Sequence, residues 1–259
     1  MTLSGKALAT ILAAIGLLLP TGAAQADTSV IEAYGQRQWI SCSGQGSPTA
    51  VISSGLRADH TMWRKVLKGL RSQTRTCIYD RPGLGSSPPR QGPLHTNAGE
   101  QARELHALLA AAGEPGPYLL IAHSYAGLIA RAFVASYPVD VSGMLLIDAV
   151  FPSIHRTYLP SYRGPWHEGG TTIDMQVSED ATKSGPSMGD LPLIVLTAGD
   201  GSGTSWADRT WEREQAKAAL LSTRGQHWHA RRSGHVIQRD QPAIVLKAVA
   251  SLLQEVRAS

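Results

Sequence analysis

The sequence predicts an α/β domain built on a mostly parallel sheet of eight strands, with helices on both faces. Its 259 residues are 42% hydrophobic and 17% charged, enough apolar material for one large core, which excludes a disordered chain or a coiled coil. Short apolar or β-branched runs alternate with longer helical patterns, as in such folds. The formal net charge is +4, but the basic residues form no dense stripe, so we expect no nucleic-acid partner.

Eight short runs are predicted as strands because they are apolar or β-branched and are bounded by turn residues. They are residues 30–34, 37–42, 50–53, 76–79, 118–122, 144–147, 193–197 and 227–231. Between them, Asn97 followed by Glu100 is typical of a helix start, and apolar residues repeat at helical spacing until Gly113. A second helix is predicted at 126–137, directly after a strand.

The first 26 residues have the pattern of a secretory signal peptide. Lys6 precedes an apolar run at 7–19, and Ala24-Gln25-Ala26 is a suitable cleavage site. A bilayer-spanning helix needs about 20 apolar residues, so a permanent membrane anchor is the less favoured alternative. We predict an exported chain, cleaved after Ala26, whose single domain covers 27–259 and keeps no stable membrane anchor.

The most informative segment is 119–127 (LLIAHSYAG), a predicted buried strand that runs into a helix. Ser124 lies at the turn, and the residues two before and two after it are Ala122 and Ala126. A nucleophile elbow needs small residues at these two places, because the strand and the helix approach closely around a strained serine. Alanine departs from the usual Gly-x-Ser-x-Gly pattern but is still small. An ordinary serine at a helix N-terminus is the alternative.

Three further segments come in the order that this chemistry requires. The strand 50–53 is followed by Ser-Gly-Leu at 54–56, and the strand 76–79 is followed by a glycine-rich loop at 80–87. His235 comes just past the last predicted strand, before a closing helix.

From about Cys42 to the C-terminal helix, these motifs resemble the alpha/beta-hydrolase superfamily. The resemblance implies a nucleophile at Ser124 and a general base at His235. It also implies an oxyanion hole made by the backbone N–H groups of Leu56 and Tyr125. It implies no cofactor.

The triad acid has two candidates. Many members of the family place it after the seventh strand in a Gly-x-x-Asp pattern, but here Gly199 is followed three positions later by Ser202. Asp200 is adjacent to that glycine. Asp148 ends the sixth strand, beside the strand that leads to the nucleophile, and some members carry the acid there. We favour Asp148 and keep Asp200 as the alternative; Asp148 could also be a structural carboxylate.

Two cysteines, Cys42 and Cys77, fall on predicted strands. Cysteines of exported proteins commonly pair, although two free buried thiols are the alternative. The resembled fold places these two strands side by side, which favours a disulfide. The glycine-rich loop lacks the Lys-Ser/Thr of a phosphate-binding loop, so we interpret Asp80 and Arg81 as a structural pair that braces the oxyanion loop.

Residues 151–190 break the alternation, since they are rich in Pro, Gly, Ser and aromatic residues without a clear period. A long irregular insertion in a compact domain is usually a lid or binding loop, so we predict a cap over the site. Its larger side chains could line an apolar pocket or only hold the segment in place. They are Tyr158, Tyr162, Trp166, Met175 and Met188.

His227 and His229 alternate on the last predicted strand and could share one face. No third metal ligand is evident beside them in the sequence, so we expect no metal site.

Together these observations predict an exported serine hydrolase that acts on a small-molecule ester or a similar acyl compound. A serine at the elbow argues against the dehalogenase and epoxide-hydrolase branches, which use aspartate. Two alternatives remain: a lyase, cyclase or acyltransferase with the same triad, and a non-catalytic ligand-binding protein. The sequence makes no prediction of the oligomeric state.

Overall fold

An eight-stranded β-sheet forms the centre of the structure, a computed structural model that describes residues 1, 27–152, 154, 164–183, 188–199 and 205–258. The strands in chain order are β1 (Asp27–Ala33), β2 (Gln36–Ser43), β3 (Thr49–Ser53), β4 (Thr76–Tyr79), β5 (His95–Thr96), β6 (Tyr118–His123), β7 (Val141–Ile147), β8 (Trp166–Glu168), β9 (Thr171–Ile173), β10 (Leu193–Ala198) and β11 (Gly225–Ala230). The helices are α1 (Arg64–Arg71), α2 (Ala98–Ala111), α3 (Ala126–Ser136), α4 (Met175–Lys183), α5 (Trp206–Ala219), α6 (Ile237–Asp240) and α7 (Pro242–Arg257), with 3₁₀ helices at His60–Trp63 and Pro138–Asp140. Apart from Met1, the predicted signal segment lies outside the described residues.

The large sheet confirms the predicted fold class. Its strand order is β1-β2-β4-β3-β6-β7-β10-β11, in which β2 is antiparallel to both β1 and β4 and the other pairs are parallel. All eight predicted strands are present, and their ends differ from the prediction by three residues at most. Because parallel strands end at the same edge, the loops after β3, β6, β7, β10 and β11 meet there.

The central strands are apolar at successive positions because helices cover both faces of the sheet. Leu119 and Ile121 of β6 belong to a core cluster that includes α1 and α7. Leu120 and Ala122 of the same strand belong to a second cluster, which includes α2 and α3. A strand buried on one face would instead alternate apolar with polar residues.

The predicted helix starts are also present. The Asn97 side chain accepts a hydrogen bond of 3.0 Å from the backbone N–H of Glu100, which caps the first turn of α2. The helix α3 begins directly after β6, so the turn between them consists of Ser124 and Tyr125.

The disulfide is present as the resemblance implied. Cys42 of β2 and Cys77 of β4 are directly opposite each other in the antiparallel pair and are joined by an S–S bond. In the part of the chain that the structure describes, no helix has the length and apolar character needed to span a bilayer.

The segment 151–190 contains more regular structure than its sequence suggested. The strands β8 and β9 form a hairpin, β5 pairs with β9, and α4 packs against α2 and α3. Each strand of the hairpin has three residues, which is too short for a period to be visible in the sequence. Residues 153, 155–163 and 184–187 lie outside the described residues, so the cap over the site stays a prediction.

Candidate active site

Ser124 lies between β6 and α3 with a backbone φ of +54°. This left-handed conformation is unusual for a residue other than glycine. It is stabilised on both sides, because the N–H of Ser124 donates to the carbonyl of Ile147 (3.0 Å) and its own carbonyl accepts from Val150 (2.9 Å). Ala122 and Ala126 are fully buried, as expected for positions where a strand and a helix meet closely. The turn therefore has the backbone form of a nucleophile elbow.

His235 comes from the turn after β11 and reaches Ser124. Its Nε2 lies 2.9 Å from the Ser124 Oγ, and its Nδ1 lies 2.6 Å from the Asp148 Oδ2. Since a carboxylate can only accept, Nδ1 carries the proton and Nε2 presents its lone pair to the serine hydroxyl. The imidazole thus has the tautomer that can accept the serine proton.

The Asp148 side chain is almost completely buried (3% exposed for the residue), and both of its carboxylate oxygens accept hydrogen bonds. Oδ2 faces His235, while Oδ1 accepts from the backbone N–H of Ala198 (3.0 Å) and from the indole Nε1 of Trp211 (2.9 Å). The backbone of Asp148 is also left-handed, with φ +42°. The second candidate acid, Asp200, lies outside the described residues. The geometry therefore favours Asp148 and leaves the comparison with Asp200 to experiment.

His123, next to the serine, anchors the loop that carries His235. Its Nε2 donates to the backbone carbonyl of His235 at 2.9 Å. Burial, followed by the nearby His235, lowers the pKa of His123 to about 4, so this side chain is neutral near neutral pH. Because Nε2 holds the proton, Nδ1 is a buried acceptor that faces Gly55 and has no hydrogen-bond partner among the described residues.

The two backbone N–H groups expected to form the oxyanion hole belong to residues in the two turns that meet at Ser124. Tyr125 comes directly after Ser124 and is the last residue before α3, and Leu56 follows β3 in the turn that contains Gly55. A Cβ placed on Gly55 would lie 3.1 Å from the Ser124 Cβ and 2.8 Å from the His123 Nδ1, so the turn packs directly against the nucleophile. Only glycine allows this approach.

A buried ion pair, which the sequence did not reveal, supports that turn. Arg81 donates to the carbonyls of Ser54 (2.6 Å) and Gly55 (2.7 Å) and makes two hydrogen bonds of 2.7 Å to the Glu168 carboxylate. Its guanidinium also lies over the ring of Tyr125, at 5.6 Å from the centroid. Arg81 therefore contacts both segments that carry the candidate oxyanion donors.

Electrostatics at this pair favour the charged forms. Burial alone would raise the pKa of Glu168, but the charge of Arg81 and the hydrogen bonds to Arg81, the Arg57 N–H and Gln101 outweigh burial and hold it below its usual value. The turn that follows Glu168 packs closely against the glycine-rich loop at 80–87, since a Cβ on Gly169 would lie 2.6 Å from the carbonyl oxygen of Pro82.

Asp80 has different partners from Arg81. Its carboxylate accepts from the backbone N–H of His60 (2.8 Å), from the His60 ring (2.7 Å) and from the backbone N–H of Ser86 (2.9 Å). Both residues brace loops beside the site, as expected, but the ion pair of Arg81 is with Glu168 and not with Asp80.

A cavity of 490 Å³ lies beside the loop that follows Asp148. Phe151, Leu191 and Leu221 give it an apolar lining, and Arg131 of α3 adds a charged group whose pKa is lowered to about 10 by burial. It has space for a small organic molecule.

The side chains predicted to line a pocket have different surroundings. Met188 lines the cavity, Met175 is buried in the core, and Trp166 packs against the ring of Tyr125; Tyr158 and Tyr162 lie outside the described residues.

Residues 50–258 match the model of the family described as "Alpha/beta hydrolase family". The chain belongs to the alpha/beta hydrolase family.

Individual proteins resemble this chain over most of its length. The uncharacterized protein YqjL of Bacillus subtilis (strain 168) is 28% identical over 213 residues, which are 80% of this chain and 83% of that protein. The crystal structure of carboxylesterase CesB from Bacillus subtilis superposes with a TM-score of 0.63 at 17% identity, covering 88% of this chain and 92% of CesB. Haloalkane dehalogenase DbeA from Bradyrhizobium elkani USDA94 gives a TM-score of 0.69 at 15% identity, with coverage of 90% and 99%. At these identities the structural likeness shows the fold.

Proposed function

We propose that this protein is an exported serine hydrolase that cleaves a small-molecule ester or a similarly activated acyl compound. The single observation that carries the proposal is the continuous chain of hydrogen bonds from Ser124 through His235 to Asp148. Its members come from three different loops at one edge of the sheet, and the serine has the strained backbone of an elbow.

In the proposed mechanism, the Ser124 Oγ attacks the acyl carbon of the substrate while the His235 Nε2 accepts its proton. The carbonyl oxygen becomes an oxyanion, to which the backbone N–H groups of Leu56 and Tyr125 donate hydrogen bonds. His235 then returns the proton to the leaving alcohol, and an acyl-enzyme remains on Ser124. Asp148 keeps the imidazole oriented and stabilises its positive charge throughout.

Water completes the cycle. His235 takes a proton from a water molecule, whose oxygen attacks the acyl carbon, and gives the proton to Ser124 Oγ as the acid product leaves. A serine nucleophile suits ester cleavage and distinguishes the proposed reaction from that of enzymes in this fold with an aspartate at the elbow.

A fluorophosphonate probe and a series of p-nitrophenyl esters of graded chain length test the proposal. We expect the probe to label Ser124 of the folded protein, and Ser124→Ala to lower ester cleavage by about a thousandfold or more. Ser142→Ala is the matched control, because its Oγ bonds only the Tyr118 carbonyl among its described contacts, and it should keep wild-type rates. Absence of labelling, together with equal rates for wild type and Ser124→Ala, would refute the proposal.

Hydrolysis is distinguished from acyl transfer or elimination by running the reaction in ¹⁸O-labelled water. A hydrolase must place one labelled oxygen in the acid product. Unlabelled products, with activity still dependent on Ser124, would instead identify a lyase, cyclase or acyltransferase.

The proposed export is supported by the Cys42–Cys77 disulfide, since such bonds persist in oxidising compartments and are rare in reducing ones. Mass spectrometry of the protein recovered outside the cytoplasm tests it. We expect a chain that begins at Asp27; a secreted chain that begins at Met1 would contradict cleavage after Ala26.

A further inference from the structure

Three side chains that can bind a metal ion converge at the edge of the sheet formed by β11. None of them takes part in the hydrogen bonds between Ser124, His235 and Asp148. Glu212 of α5 places its Oε1 at 2.8 Å from the Nε2 of His229 and at 3.9 Å from the Nδ1 of His227. One ligand atom from each residue lies within 4.8 Å of the other two. The histidines share one face of β11, as expected, and α5 supplies the third ligand that the sequence did not reveal.

The distances suit a tetrahedral ion. With zinc–ligand bonds of about 2.0–2.1 Å, ligand atoms lie roughly 3.3 Å from one another. The separations of 2.8 and 3.9 Å involving Glu212 lie on either side of that value, so small side-chain rotations would reach it.

The surroundings also resemble those of a metal site. The Nε2 of His227 lies 2.7 Å from the Thr197 Oγ1, so the hydroxyl can hold the ring while Nδ1 faces the other ligands. Ligating histidines usually have such a partner on their second nitrogen. Within the residues that the structure describes, no lysine or arginine pairs with Glu212, which leaves its charge available to a cation. The three side chains are 17–30% exposed, so an ion can reach them.

We propose that Glu212, His227 and His229 bind one divalent transition-metal ion, zinc being the best match. Two imidazole nitrogens and one carboxylate oxygen are a donor set that zinc accepts, and a water molecule would complete the tetrahedron. The proposal does not depend on the proposed hydrolase activity.

The bound ion would join two elements that support the triad. Trp211, adjacent to Glu212 on α5, donates to Asp148, and β11 leads into the turn that carries His235. A bound ion would therefore link these two segments and stabilise the fold.

Isothermal titration of untagged, chelator-treated protein with ZnCl₂ tests the proposal directly. We expect one ion per chain with micromolar or tighter affinity, and a loss of affinity of about tenfold or more in each of Glu212→Gln and His229→Gln. His106→Gln is the matched control, because His106 also pairs with a carboxylate, that of Asp140 at 3.0 Å, and has similar exposure. The control should bind zinc as the wild type does.

Cobalt provides a second readout that does not depend on any one variant folding. Co²⁺ in a tetrahedral site gives strong visible absorption, which we expect in the wild type and in His106→Gln but not in either ligand variant. Zinc should also raise the melting temperature of the wild type and not that of His229→Gln. Absence of one-to-one binding to the wild type, or full binding by the double variant Glu212→Gln/His229→Gln, would overturn the proposal.

Discussion

The indole Nε1 of Trp211 donates a hydrogen bond of 2.9 Å to the Oδ1 of Asp148. The other carboxylate oxygen faces His235, so the tryptophan holds the acid from the side opposite the imidazole. The Trp211 ring also packs against Phe151 and lies edge-on to the His235 ring. The helix α5, which is distant from Ser124 in the sequence, thereby holds the carboxylate of Asp148 in its orientation toward His235.

Trp211→Phe removes this hydrogen bond while keeping an aromatic ring. We expect kcat/KM for a p-nitrophenyl ester to fall about tenfold, because one hydrogen bond to a charged group contributes about 1.5 kcal/mol. Trp206→Phe, on the same helix and 54% exposed, should have wild-type kinetics. Equal kinetics for the two variants would show that the indole does not position Asp148.

Replacing the two candidate acids separates their roles. Asp148→Asn should lower kcat by about ten-thousandfold, because an amide cannot stabilise the imidazolium or hold the required tautomer. Asp200→Asn should remain close to wild type in the same steady-state assay. The opposite pattern would assign the acid to Asp200.

The Arg81–Glu168 pair predicts a specific dependence of stability on pH. Since the pKa of Glu168 is lowered in the folded protein, its contribution is fully present above the ordinary glutamate pKa of about 4.3 and is lost as the pH falls below that value. Glu168→Gln should cost about 3 kcal/mol at neutral pH, because it leaves Arg81 buried without its partner. It should also flatten the fall in stability between pH 5 and pH 3, about one unit on either side of that pKa.

Urea unfolding at a series of pH values measures both effects. Glu255→Gln is the control, since Glu255 pairs with Arg224 at a partly exposed position and should contribute less than about 1 kcal/mol. Parallel pH profiles for wild type and Glu168→Gln would contradict the proposed contribution of this pair.

The disulfide predicts a loss of stability on its removal. Cys42 and Cys77 are 35 positions apart, so in the chain-entropy model the double variant Cys42→Ala/Cys77→Ala should unfold with a free energy about 3–4 kcal/mol lower. Wild type unfolded in dithiothreitol should show a similar decrease. An unchanged urea midpoint in both cases would rule out this stabilisation.

The elements that the sequence predicted are those with a strong local signal. The strand before Ser124 has four successive apolar residues at 119–122, and the Asn97 side chain caps α2 by accepting from the N–H of the residue three positions later, so both follow from neighbouring positions alone. The Leu56 turn, the elbow at Ser124 and His235 each come after a predicted strand. Their order along the chain therefore indicated the fold.

The features that the sequence did not predict depend on residues far apart in the chain. Arg81 and Glu168 are 87 positions apart, and Glu212 meets His227 and His229 only when α5 packs against β11. A charged residue in an irregular segment gives no indication of a buried partner. His123 is next to the nucleophile in the sequence, but its hydrogen bond to the His235 carbonyl is visible only in three dimensions.

The close contact of Gly169 with the carbonyl of Pro82 has a practical consequence for chimeric proteins. With Glu168 in its first strand, the β8–β9 hairpin is part of the scaffold, although it lies within the segment 151–190, whose sequence has no clear period. Chimeras in which part of the segment 151–190 is replaced by that of a relative should therefore retain residues 166–173 and exchange the residues on either side of them.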